Sequence, residues 1–165
     1  MEKIMLVIIG GIIGFFASIA KDYLIESKKE KDKLKNIKRE KLEEAYIEFS
    51  KWFSDFSIDN LGIIVVMQNV LEYDEYTKKK KEYSENLIID FTKLEMIINI
   101  YGDNLLTDFS LIMTKRDEIS KIKFTYMDSK KMNEKDLDNY EKKNLEINSL
   151  GNSFKEKIAE NIKKI

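Results

Sequence analysis

The order of apolar and polar positions divides this chain into three stretches. From Ile4 to Ala20 it reads IMLVIIGGIIGFFASIA, with no charge, no proline and Ser18 as the one polar residue. A run with no polar face has no stable place in water and predicts a helix surrounded by lipid. At about 1.5 Å per residue it covers roughly 25 Å, slightly less than a hydrocarbon core of about 30 Å. Lys3 and Lys21 flank the run and can snorkel to the two interfaces. Residues 1–20 are therefore expected to form a single-pass transmembrane anchor.

Residues 21–41 are almost all charged, with Tyr23, Leu24, Ile25, Leu34 and Ile37 as their apolar content. Nothing here breaks a helix, and Glu26–Lys29 and Glu30–Lys33 are helical i,i+3 partners. The stretch predicts a solvated helical stalk continuous with the anchor.

At Leu42 the pattern changes again. Leu42, Ala45, Phe49, Trp52 and Phe56 follow a 3,4,3,4 spacing, widened by Tyr46 and Phe53, as on a buried helix face. Projected backward, the register lands on Lys38 and Lys35, so the packed region begins near residue 42. Ser57 to Asn60 offers a break and a cap. Ile58–Leu71 then reads as a central buried helix, with a strand as the alternative for its Ile-Ile-Val-Val run. It falls short of the roughly 20 residues that a second crossing needs.

Tyr73–Ser84 is polar, a helical extension or an exposed loop. Leu87, Phe91, Leu94, Ile98 and Tyr101 form the next stripe, stopped by Gly102. Asp103 or Asn104 is positioned to cap a helix carrying Leu105, Phe109, Ile112, Ile119, Ile122 and Tyr126, interrupted by the charged turn Lys115–Glu118. After a loop at 128–133, a last helix presents Leu137, Tyr140, Ile147, Phe154, Ile158 and Ile162. A break is expected at Gly151, where Ser153 and Glu156 fit a capping box. The chain is thus read as all-α: a transmembrane helix at 1–20, a basic stalk at 21–41, and an antiparallel bundle of four or five helices at 42–165, with coiled-coil-like packing.

Composition narrows the chemistry. The 165 residues include no proline, cysteine or histidine. No disulfide or thiolate site is possible, and the commonest general base and metal ligand is missing. No nucleophile elbow, phosphate loop or dinucleotide fingerprint occurs, so no catalytic residue, cofactor or metal is expected. The abundance of Lys, Ile, Asn and Glu fits an AT-rich bacterial or phage genome.

Charge adds a direction. The net charge of −1 conceals nine basic residues against five acidic ones between Lys21 and Lys41, which leaves the rest acidic. A basic excess on the carboxyl side of the run favours an outside amino terminus and a cytoplasmic bundle. The alternative is a secretory signal cleaved after Ser18-Ile19-Ala20, but the run exceeds the usual apolar core of about 7 to 15 residues. A buried core helix is a third reading, and a chain this size can hardly surround it.

Lys21, Lys28 and Lys29 are expected to contact lipid, each attracted by about 1 kcal/mol near an anionic leaflet. Gly10, Gly14 and Ser18 repeat every four residues and could let two anchors pack closely. Nucleic acid is not expected: Arg39 and Arg116 are the only arginines, and acidic residues surround Lys78–Lys81. The expected function is a non-enzymatic, membrane-anchored helical interaction or scaffold module, with a protein partner or a second copy. The alternatives are a membrane-active phage or defence-type effector that oligomerises through its anchor, and a secreted helical binding protein.

Overall fold

The computed structural model describes the backbone of residues 2–84, 88–129 and 134–165, and the side chains of residues 18, 21–83, 88–129 and 134–165. Among the described residues there are five helices and no strand: α1 Glu2–Met67, α2 Tyr73–Ser84, α3 Phe91–Tyr101, α4 Leu106–Ser129 and α5 Glu134–Lys164. The chain divides into two units, residues 1–39 with Ile165, and Glu40–Lys164.

In the first unit residues 2–39 are helical, as the first part of α1. From Lys21 to Arg39 its side chains are exposed or half-buried, including Tyr23, Leu24 and Leu34. Among the described residues no helix is long and apolar enough to cross a membrane. The apolar run lies outside the described side chains apart from Ser18, and with it the expected anchor and the Gly10 and Gly14 positions.

In the second unit α1 buries Leu42, Ala45, Phe49, Phe53, Asn60, Ile63 and Met67. This is one helical face, and it runs through the break expected at Ser57–Asn60. The side chains that could have capped a helix there bond to other helices instead: Ser57 Oγ donates to Asn148 Oδ1 at 2.8 Å, and Asn60 Oδ1 accepts from Tyr140 at 2.8 Å. With those groups engaged elsewhere, no local bond competes with the helical backbone. Residues 58–67 are therefore the end of α1, neither a separate helix nor a strand. The end itself is a Schellman motif. Asn69 is left-handed (φ 56°), its N–H bonds to Val66 O, and Val70 N–H bonds to Val65 O.

The partners of α1 give the topology. Phe49 meets Phe154 at 4.7 Å between ring centroids, Phe53 lies on Gly151, Ser57 on Asn148 and Asn60 on Tyr140. Rising numbers on one helix match falling numbers on the other, so α1 and α5 are antiparallel. Asp108–Lys157, Lys115–Glu146 and Glu118–Lys143 ion pairs make α4 antiparallel to α5 in the same way. α2 descends along α1, with Tyr76 on Gly62 and Lys80 on Asp59. α3 continues that descent, with Phe91 against Trp52 and Lys93 paired to Glu44. The unit is an up-down-up-down bundle whose second leg is split into α2 and α3.

Two expected interruptions are corrected by packing. Lys115–Glu118 stays helical within α4, because Lys115 and Glu118 pair with α5 while Arg116 lies over the Phe91 ring. α5 also runs unbroken through Gly151. A Cβ there would stand 2.1 Å from Phe53 Cζ, so the glycine serves close helix approach rather than a break. At α3 the expected stripe begins later, since Asp90 accepts from Lys93 N and caps the helix. Leu87 lies outside the described residues. Gly102 does end α3, its N–H bonding to Ile98 O at 3.0 Å, while Asn104 accepts from Asn161 on α5.

Helix propensity favours alanine over glycine by about 1 kcal/mol, whereas overpacking a full core costs about 1–3 kcal/mol. Phe53 is only 4% exposed and has no room to withdraw. Gly151→Ala is expected to lower the unfolding temperature by several degrees, followed by far-ultraviolet circular dichroism. Introduced into a Phe53→Leu background, the same change should be neutral or stabilising. Equal effects in both backgrounds would remove the steric explanation.

Candidate functional site

The most distinctive chemistry of the second unit is a polar layer about two turns above its aromatic core. Below it, Phe49, Phe53, Phe109 and Phe154 form a connected cluster through ring contacts of 4.7–5.9 Å. Asp59 then interrupts the apolar end of α1. Its carboxylate accepts from Tyr76 Oη and Lys80 Nζ of α2 and from Lys123 Nζ of α4. The Asp59 side chain is 11% exposed and that of Lys123 16%, whereas Lys80 sits at the rim with 38%.

Gly62 makes this convergence possible. One turn after Asp59, it leaves the Tyr76 ring lying where a Cβ would be 2.4 Å from Cε2. Any larger residue would push the ring outward and move the phenol from Asp59. The electrostatics follow from the geometry. Burial raises the Asp59 carboxyl, but hydrogen bonds from Lys123, Lys80 and Tyr76 outweigh it and hold the group below its ordinary value. Burial, reinforced by the Asp59 acceptor, pushes the Tyr76 phenol well above its usual range. Burial and the charge of Asp59 do the same to Tyr140. Both phenols stay protonated and serve as donors.

Beside this cluster, Tyr140, Asn60 and Asn144 form a second polar group between α1 and α5. Asn60 and Asn144 are 1% and 3% exposed. Asn60 Nδ2 and Asn144 Oδ1 are buried without a hydrogen-bond partner. An open donor and an open acceptor on facing helices carry a desolvation cost that apolar residues would not. In coiled coils, polar groups at such positions fix helix register at some cost in stability.

The residues singled out from sequence are elsewhere. Lys21, Lys28 and Lys29 are exposed on α1 in the first unit, and Ser18 is exposed as well. Of the Lys78–Lys81 run, Lys79 pairs with Glu75 at 2.7 Å and Lys80 turns to Asp59, while Lys78 and Lys81 point to solvent. Sequence reasoning missed Asp59, Tyr76 and Lys123, because their meeting depends on how three helices are placed. Asn144 carried a signal. The spacing 140, 144, 147, 151, 154 and 158 puts an asparagine and a glycine at core positions of one stripe.

Among the described residues no group of three or more Asp and Glu is arranged to hold a metal ion. The layer's plain chemical capacity is to bind helices to one another by charge. Comparison of the chain with models of protein families, with curated proteins and with solved structures gives no match. What can be said of its class therefore rests on the fold: an all-α chain with a helical bundle and a buried ionic layer.

A depressed carboxyl contributes stability that is full above its unfolded value of about 3.9 and is lost as pH falls through the lower folded value. Asp59→Asn leaves Lys123 without its charge partner, and breaking a buried pair costs about 3 kcal/mol. Wild type should therefore exceed Asp59→Asn in unfolding free energy from neutral pH down to about 4, with the gap closing below that. A gap independent of pH would show that the carboxylate charge is not the stabilising feature. Lys123→Met should cost more than Lys80→Met, since Lys80 is far more exposed.

Proposed function

We propose that this chain is a membrane-tethered, non-enzymatic helical interaction module, with its amino terminus outside and its bundle in the cytoplasm. The observation that carries the reading is the order of segments: an uncharged run from Ile4 to Ala20, an exposed helix with nine basic residues against five acidic ones, and a separate packed unit from Glu40. The run supplies the apolar length of an anchor, and the basic flank supplies the orientation. Lys21, Lys28 and Lys29 add attraction to anionic lipid headgroups. Confinement to a surface raises the bundle's effective concentration toward a membrane-associated protein or a second copy. That gain requires no catalytic group. Gly10, Gly14 and Ser18 would allow anchors to associate laterally within the same arrangement.

Alkaline carbonate extraction of membranes tests the tether. The full chain should stay in the pellet, and a chain lacking residues 2–20 should move to the supernatant. Recovery of a mature chain starting at Lys21, identified by amino-terminal sequencing, would replace the tether with a secreted protein. Reversing Lys21, Lys28 and Lys29 to Glu should reduce the fraction with a cytoplasmic carboxyl terminus, read by a terminal reporter fusion. An unchanged fraction would show that the basic flank does not set orientation.

A further inference from the structure

Between the end of α1 and α2 lies a cavity of about 250 Å³. Its walls include Asp55, Ile58 and Gly62 of α1, Leu71 of the connection, and Tyr76 and Tyr83 of α2. The surface is overwhelmingly apolar. Gly62 lets the Tyr76 ring lie against the α1 backbone, so that ring forms one wall of the cavity.

Charge inside this cavity is unevenly satisfied. The Lys79 ammonium pairs with Glu75 on its own helix, and the Lys80 ammonium is held by Asp59. Asp59 in turn already accepts from three donors. Asp55 is half-buried and, among the described residues, its carboxylate has no ion pair or hydrogen bond. An apolar hollow with one uncommitted carboxylate suits a ligand with an apolar body and a positive end.

We propose that this cavity is a binding site for a small organic ammonium ion, with its ammonium on Asp55 and an aromatic or short aliphatic body against Ile58 and Leu71. The rings of Tyr76 and Tyr83 add attraction for the cation. An anion is disfavoured because both wall lysines already serve acidic partners. A metal ion is disfavoured because Asp59 is committed to its three donors and Asp55 alone cannot complete a coordination shell. The volume lies just below the range of about 300–1,000 Å³ typical of drug-sized ligands, which suits a fragment such as an arylalkylamine. The site lies wholly within the second unit and is independent of the proposed tether.

The test uses the full chain in zwitterionic nanodiscs, carrying 3-fluorotyrosine at Tyr83, titrated at neutral pH and followed by fluorine NMR. The probes are phenethylammonium, 2-phenylethanol and 3-phenylpropionate, with empty nanodiscs as the partition control. Phenethylammonium should give a saturable shift at least about tenfold tighter than the alcohol, and the carboxylate none. Asp55→Asn should weaken the ammonium by about tenfold or more while helical content is unchanged. Ile58→Trp, which fills the hollow from a partly exposed wall position, should abolish the shift. Equal binding of all three probes, indifference to Asp55→Asn, or no saturable shift would overturn the proposal.

Discussion

The close approach of α1 and α5 sets the terms for the rest of the bundle. Gly151 lets the Phe53 ring lie against the α5 backbone, and one turn away Phe49 packs edge-on to Phe154. Once those two levels are fixed, helical geometry places Ser57 at Asn148 and Asn60 at Tyr140 without further choice. The same register presents Asp59 on a different face of α1, toward α2 and α4, where Tyr76, Lys80 and Lys123 converge. A slip of one turn would put a side chain where the glycine is and would separate every polar pair. Aromatic packing thus supplies the cohesion, and the polar layer above it supplies the specificity of alignment.

The division of labour within the bundle follows from chemistry. Apolar contacts are non-directional and would tolerate several helix arrangements of similar compactness. A buried carboxylate with three donors tolerates few. Parting Asp59 from Lys123 leaves charge with little access to water, so arrangements that separate them are penalised. Asn60 acts in the same sense through the bond that it accepts from Tyr140, whereas the open amide atoms of Asn60 and Asn144 lower stability. The interaction role proposed for the bundle would gain from one fixed shape, which this layer favours.

Much of the architecture was legible in the sequence. Apolar spacing located the buried face of α1 and the stripes of α3, α4 and α5, and Gly102 marked the end of α3. The errors share a physical origin. Ser57, Asp59 and Gly151 resemble helix breakers by local preference, yet each is used across the bundle, where tertiary bonds override propensity. The charged turn at Lys115–Glu118 is likewise a line of ion pairs to α5. The candidate site was least legible. Asp59, Tyr76 and Lys123 are spread over more than sixty positions, and only the bundle brings them together.

The absence of cysteine in the chain permits a direct test of where the bundle resides. Ser153 on α5 is exposed, so Ser153→Cys introduces one reactive thiol into the bundle without disturbing its core. In intact cells, a membrane-impermeant maleimide should leave this thiol unlabelled, and lysis should expose it while the protein sediments with membranes. Labelling before lysis, or recovery of the protein in the soluble fraction, would contradict a bundle tethered at the cytoplasmic face.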